Sequence, residues 1–153
     1  MYGPRLLRHG TDAVARAKLA LPNGLLKVYP NAAGATSRTL LAVSNYASTL
    51  CNLRHFEEVK SLLCRSIPVG RRVFGEGGET TLRMRSNYAV ALVNADGATH
   101  EDLREAVTTL EETERIARRV LGGAHPLVVR IEFVLRQSRA ALRARETPSS
   151  GEA

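Results

Sequence analysis

The sequence predicts an all-α protein in which antiparallel helical hairpins repeat and stack as a short α-solenoid. Four letters, SNYA, stand at 44–47 and return at 86–89. Apolar residues also recur at steps of three and four through most of the chain, which is the period of an amphipathic helix. The composition is rich in alanine, leucine and arginine and has no tryptophan, which favours helix over sheet.

A second pair of matching sequences fixes the length of the repeat. RRVFG at 71–75 matches RRVLG at 118–122, 47 residues later, whereas the two SNYA copies are 42 residues apart. Phe56 and Leu103 stand at the same distance before these matches, so the five additional residues of the second copy precede Leu103. They fall in NADGATHED, whose Gly and Asp residues are typical of a loop between two helices. We assign two repeat units and a half unit: 39–79, 80–126 and 127–145.

The first unit is predicted to contain two helices. Apolar residues follow helical spacing over 40–53, and the pattern restarts over 56–73. GEGG at 75–78 is expected to end the second helix, since glycine is favoured just beyond a helix C-terminus. Pro68 lies inside this helix, where a proline removes a hydrogen bond and costs about 3 kcal/mol. We therefore expect a kink or a split of the helix near Pro68.

The second unit is predicted to repeat these two helices. Apolar residues follow the same spacing over 82–93 and over 103–121. Thr99 followed by Asp102 approximates a capping box for the second of these helices. Arg85 stands where the first unit has a valine, so we expect a weaker apolar face at that point.

The half unit is predicted to be a single helix. GGAHP at 122–126 ends the preceding helix, and Pro126 suits the first turn of the next one. No partner helix follows 127–145 in this sequence, which predicts an uncovered apolar side and either self-association through it or a larger parent array of repeats. The remaining residues, 146–153, have the composition of a disordered tail.

The N-terminal segment, 1–38, does not match the repeat clearly. Apolar residues between Ala13 and Leu21 follow helical spacing, which suggests a decayed repeat or a capping helix. An excess of basic residues here also agrees with an organellar transit peptide, although we favour the capping helix. Because the segment lacks a secretory apolar region, we expect Cys51 and Cys64 to lie in a reducing, cytoplasmic environment.

The net charge of +7 raises the alternative of nucleic-acid or anionic-surface binding. Most arginines alternate with acidic residues, which is typical of a solvated helix face. The exception is the last predicted helix, which is rich in arginine at Arg130, Arg136, Arg139, Arg143 and Arg145. We favour a polar outer face of a terminal helix, so nucleic acid is not the expected partner.

An enzyme is not the expected function. The sequence has no phosphate-binding loop with its lysine, because GEGGE follows a predicted helix and lacks that residue. Its four histidines have no metal-ligand spacing, and no local nucleophile signature is present. No apolar run is long enough to span a bilayer. We therefore predict no catalysis, cofactor, metal or membrane partner.

The repeat resembles the tetratricopeptide repeat of the kinesin-light-chain type, whose unit has about 42 residues. The resemblance is carried by both copies of SNYA, by the FEEV sequence at 56–59 and by RVLG followed by HP at 119–126. It departs from the family where Gly78-Glu79 replaces histidine-proline. It covers residues 39 to about 135 and implies a right-handed solenoid that binds peptides or partner proteins on a concave face lined by the first helix of each unit.

The candidate partner-binding residues are four asparagines and one arginine. Asn45 and Asn52 are seven residues apart, and Asn87 and Asn94 repeat that spacing, which predicts an amide stripe across both units. Asparagine both donates and accepts hydrogen bonds, so it can hold the backbone of an extended peptide. For Asn52 and Asn94, an ordinary position at a helix C-terminus is an equal alternative. Arg83 is expected to line the same groove and to favour an acidic protein or peptide, which the sequence does not identify.

Overall fold

The computed structural model describes residues 33–147, and these residues form five α-helices and no strand. The helices are α1 (Ala33–Asn52), α2 (Phe56–Phe74), α3 (Glu79–Asn94), α4 (His100–Leu121) and α5 (Pro126–Glu146). The all-α prediction is confirmed for this part of the chain. The predicted capping helix and most of the predicted tail lie outside the described residues. None of the five helices has the length and apolar character needed to cross a membrane.

Each helix packs against the next one in the chain. In addition, α1 contacts α3 and α3 contacts α5, whereas α2 and α4 of the described helices make no such contact. The odd-numbered helices therefore form one continuous layer. The right-handed solenoid predicted from the sequence is a finer arrangement than these contacts establish, and it stays a prediction.

The predicted helix ends are confirmed at both glycine-rich stretches. Helix α2 ends immediately before Gly75 and α4 immediately before Gly122, with φ angles of 79° and 85° at the two glycines. Residues with a side chain rarely adopt this left-handed conformation, which explains glycine at both positions. As predicted, Pro126 begins α5. The Nδ1 atom of His125 accepts a hydrogen bond from the Leu127 N–H at 3.1 Å and so caps the helix.

The five additional residues of the second unit are divided between a loop and a helix. The loop before α2 is 53–55, whereas the loop before α4 is 95–99. The other three residues lengthen α4, which has 22 residues against 19 in α2. The capping box is confirmed, because the Thr99 hydroxyl accepts from the Asp102 N–H at 3.1 Å and the Thr99 N–H donates to the Asp102 carboxylate at 2.7 Å.

Helix α2 continues without a break through Pro68. The predicted split is therefore wrong, while the predicted kink is not tested by this continuity. Pro68 lacks the N–H that would reach the carbonyl of Cys64, and both residues are exposed. Water can reach the outer face of the helix at this point, which reduces the cost of the missing hydrogen bond.

The core has two parts that meet on α3. The first part joins α1, α2 and α3, and the second joins α3, α4 and α5. Tyr88 and Val90 of α3 pack against both parts. The repeated SNYA letters belong to this packing, because the serines and alanines of both copies are buried. These residues are Ser44, Ala47, Ser86 and Ala89.

Arg85 does more than weaken an apolar face. Its side chain is only 4% exposed, and its guanidinium contacts Glu112 of α4 at 2.8 Å and Glu76 of the loop before α3 at 3.5 Å. The two glutamates are half exposed, so their carboxylates stay partly hydrated while they pair with the buried guanidinium. The expectation from the sequence missed this connection because its partners lie 9 and 27 residues away.

Candidate functional site

A cleft of about 590 Å³ lies across the odd-numbered helices. Helices α1 and α3 each contribute two polar residues, and the rest of the lining comes from His125 and the first turns of α5. The lining residues are Asn45, Ser48, Glu79, Arg83, His125, Pro126, Leu127 and Arg130. The cleft thus combines residues that are up to 85 positions apart in the chain. We call it the central cleft.

Two arginines give the central cleft its charge. Arg83 and Arg130 each stand four residues after the first residue of their helix, so they occupy equivalent positions on α3 and α5. Arg83 pairs with Glu79 at 2.7 Å, and Glu79 is the only acidic residue in the lining. Arg130 donates a hydrogen bond to the Asn87 side chain at 2.8 Å. The balance of charge in the lining is positive, which favours an anionic group in the cleft.

Asn87 lies beneath the cleft and is fully buried. Its amide nitrogen donates to the Ser48 hydroxyl at 2.9 Å, and its amide oxygen accepts from Arg130. The side chain therefore joins α1, α3 and α5 through both ends of its amide. This arrangement does not fit the predicted role of Asn87 as a direct peptide contact, because the amide is enclosed and engaged. Its role here is to hold Arg130 and Ser48 in place.

The other predicted asparagines lie on separate parts of the surface. Asn45 is exposed and lines the central cleft. Arg83 is partly buried and lines the same cleft. Asn52 is exposed at the last residue of α1. Asn94 donates to the Val90 carbonyl at 2.8 Å and lines a different concavity, near the start of α2. The predicted stripe is thus divided, and only Asn45 and Arg83 of the five candidates line the central cleft.

Arg130 is the main residue that sequence reasoning missed as part of the groove. In the sequence it is one of five arginines in the last predicted helix, and it stands 47 residues after Arg83. The same offset separates RRVFG from RRVLG, so the repeat itself contained the signal. Ser48 and His125 also line the cleft, and neither was among the candidate binding residues.

The thiol nearest to this network has no nucleophilic character. Cys51 is buried and its Sγ donates a weak hydrogen bond to the Asn87 carbonyl at 3.9 Å. Burial raises the pKa of the Cys51 thiol to about 11, and the nearby charge of Arg130 only partly opposes that rise. A thiol with such a pKa is almost entirely protonated at neutral pH, so Cys51 acts as a small apolar side chain.

The arginines of α5 do not share one role. Arg139 pairs with Glu111 of α4 at 2.8 Å, and Glu132 of α5 pairs with Arg118 of α4. Arg130 points toward Asn87 and the central cleft. These contacts divide the basic charge between the α4 interface and the cleft, which weakens the case for a single basic surface on this helix.

Comparisons with known proteins add no family to these observations. A scan against protein-family models found no match, and searches of curated proteins and of solved structures found no significant similarity.

Proposed function

We propose that this chain is a protein-interaction module and that the central cleft binds a peptide or an extended segment of a partner protein. The proposal includes a tetratricopeptide-like repeat of the kinesin-light-chain type, stacked as a short right-handed solenoid. Its support is the set of sequence matches at fixed offsets and the continuous layer formed by the odd-numbered helices. It assigns no catalysis to the chain and a cytoplasmic location.

The observation that carries the proposal is the position of Arg83 and Arg130 in one open cleft. A guanidinium donates paired hydrogen bonds to a carboxylate, and such charge-assisted bonds are roughly twice as strong as neutral ones. Asn45 is exposed in the same lining, where its amide can both donate to and accept from a peptide backbone. The proposed ligand is therefore an extended peptide with an acidic side chain or a C-terminal carboxylate.

A peptide-display selection tests this proposal. Peptides selected on the wild-type chain should be enriched in Asp and Glu, and replacing those acids with Asn and Gln should weaken binding by about tenfold or more. Arg83→Gln should cause a similar loss because it removes one guanidinium from the cleft. Arg104→Gln is the matched control, since Arg104 is exposed on α4 and outside the cleft lining.

Two results would count against the proposal. Selected peptides that lack acidic residues would show that the positive charge of the cleft does not determine which peptide binds. Equal binding by Arg83→Gln and by Arg104→Gln would place the contact elsewhere, provided that circular dichroism shows equal helix content and thermal stability for both variants.

The alternative is binding of nucleic acid or an anionic surface through α5. Its arginines at 136, 143 and 145 are exposed, and none of them forms an ion pair within residues 33–147. This observation favours keeping the alternative. Affinity that depends on phosphate contacts falls steeply with salt, so a duplex bound in this way should be lost between low and physiological ionic strength. Binding in the central cleft should respond less.

Self-association through α5 stays a prediction as well. Val129 and Phe133 are 52% and 53% exposed and stand one turn apart on this helix. A second copy of the chain is the partner that the sequence predicted for this side. Sedimentation of the wild type and of a Val129→Ser/Phe133→Ser variant would show whether a dimer forms and whether it needs these two side chains.

A further inference from the structure

A second groove lies between α1 and α2 and has no residue of α3, α4 or α5 in its lining. Its volume is about 220 Å³. Helix α1 contributes Tyr46 and Leu50, and α2 contributes Glu58, Ser61, Leu62 and Arg65. We call it the edge groove. Its lining joins an aromatic ring and two leucines with charged residues of α2, which is the composition of a surface that receives an amphipathic helix.

The repeat shows what faces the equivalent surface of the second unit. Tyr88 stands 42 residues after Tyr46, and Glu105 stands 47 residues after Glu58. The Tyr88 hydroxyl donates to the Glu105 carboxylate at 2.8 Å. Tyr88 also packs against the first part of the core, to which α2 contributes. In the second unit, the preceding helix α2 therefore packs on the α3 side of this surface, while it makes no contact with α4.

The chain before α1 carries a matching pattern. The residues of α2 that are buried include Phe56, Val59, Leu63, Ile67 and Gly70. The residues that stand 42 positions before these five are all apolar: Val14, Ala17, Leu21, Leu25 and Val28. The other two buried positions of α2, Ser66 and Val69, correspond to Gly24 and Lys27. The offset is the one that separates the two SNYA copies. The five apolar residues would form one side of a helix, because they recur at steps of three and four.

Pro22 is the feature of this segment that argues most against a helix. It stands 42 residues before Cys64, which is an exposed position of α2. Helix α2 itself continues through Pro68, which is also exposed and lies one turn further along. A proline on the solvent side is thus tolerated by a helix of this chain, and the buried side of the pattern contains none.

We propose that residues 14–28 dock on the edge groove of the same chain as a helix equivalent to α2. This inference rests on the repeat in the proposed function, but it concerns a different surface from the central cleft. The segment leads directly into α1 at Ala33, so its local concentration at the groove is high and the contact needs little intrinsic affinity. In this position it covers one end of the helix stack and leaves the central cleft open to a partner.

Paramagnetic relaxation on the full chain tests the docking directly. A spin label on Ser61→Cys, in a Cys64→Ser background, should broaden the amide signals of residues 14–28, because Ser61 lines the edge groove. The same label on Arg104→Cys of α4 is the control and should leave those signals sharp. Cys51 is buried and should not take the label. Sharp signals with both labels would overturn the proposal.

A mixed sample distinguishes the same chain from a second copy. Chains at natural isotope abundance that carry the spin label are mixed with ¹⁵N-labelled chains that carry no spin label. Docking within one chain predicts no broadening in the mixture. Broadening of residues 14–28 in the mixture would show that the segment docks on a second copy, which contradicts the proposal.

A pair of double variants provides an independent test of the buried side. Leu21→Asp/Leu25→Asp places two carboxylates on the side that should face the groove, and it should lower Tm by more than about 5 °C. Leu19→Asp/Leu26→Asp has the same chemistry at positions equivalent to the exposed Ser61 and Pro68. It should change Tm little. Equal shifts in the two variants would contradict the assignment, whatever happens to partner binding in the central cleft.

Discussion

Arg85 is the residue whose surroundings give the clearest stability prediction. Its buried guanidinium depends on Glu112 and Glu76, and breaking a buried ion pair usually costs about 3–5 kcal/mol because it leaves a buried charge unpaired. Both glutamates are half exposed and one would remain, so we expect Glu112→Ala to lower the free energy of unfolding by about 1–3 kcal/mol. Urea denaturation measures this difference.

Two other variants complete the test of Arg85. Arg85→Met should cost much less than Glu112→Ala, because the equivalent position in the first unit is the buried Val43 and tolerates an apolar side chain. Glu79→Ala removes the partially exposed pair with Arg83 and should change stability by less than about 1 kcal/mol. If Glu112→Ala cost no more than Glu79→Ala, the buried pair would not contribute as proposed.

Asp102 gives a prediction about pH. Hydrogen bonds from the Thr99 backbone N–H and then from the Thr99 hydroxyl lower the pKa of this carboxyl from its ordinary value of 3.8. The stabilisation is therefore present above pH 3.8, and it is lost as pH falls through the lower pKa of the folded state. Wild type should exceed Asp102→Asn in stability at neutral pH by no more than about 1 kcal/mol, and the difference should vanish in acid. A difference that is constant with pH would contradict this assignment.

Contacts between residues that are close in the sequence could be predicted, whereas contacts between residues far apart in the sequence could not. Thr99 and Asp102 are three residues apart, so their capping box could be identified from the sequence. The burial of Asn87 depends on contacts with Ser48 and Arg130, which are 39 and 43 residues away. A spacing of seven on one helix places asparagines on one face, but it does not decide whether a third helix covers that face.

Pro68 is expected to lower the stability of helix α2. Replacing it with alanine supplies an N–H for the Cys64 carbonyl and removes a steric clash, which is worth up to about 3 kcal/mol in a regular helix. The loss of proline also increases the entropy of the unfolded chain, which opposes this gain by about 1 kcal/mol. We expect Pro68→Ala to raise the free energy of unfolding by about 1–2 kcal/mol.

Thermal and urea denaturation check this expectation, with Arg72→Ala as a control on the same helix. Arg72 is exposed and lies outside the edge groove, and its replacement should change the free energy of unfolding by less than about 0.5 kcal/mol. A Pro68→Ala variant that is less stable than the wild type would show that this part of α2 requires the proline.

Helix ends were more predictable than helix continuity. Gly75 and Gly122 terminate α2 and α4 because their positive φ angles suit glycine, and this preference is local. The continuity of α2 through Pro68 depends instead on packing along the opposite face, where Val59, Leu63 and Ile67 are buried. Tertiary packing of this kind offsets a local penalty that the sequence alone presents as a break.

For the whole molecule, the repeat was a better guide to architecture than to the site. Fixed offsets of 42 and 47 residues predicted the order of the helices and most of their ends. The central cleft was predicted only in part, because its lining comes from three helices and includes the helix start around His125. Periodicity identifies which residues are equivalent, whereas the cleft depends on how three separate helices approach one another.

Peptide binding in the central cleft is tested most directly by an NMR titration of the ¹⁵N-labelled chain with an acidic peptide from the display selection. Binding in the central cleft should produce the largest amide shifts at Asn45, Ser48, Arg83 and Arg130, and Arg83→Gln should weaken these shifts while Arg104→Gln should not. Shifts that cluster instead on the outer face of α5, near Val129 and Phe133, would contradict binding in the central cleft.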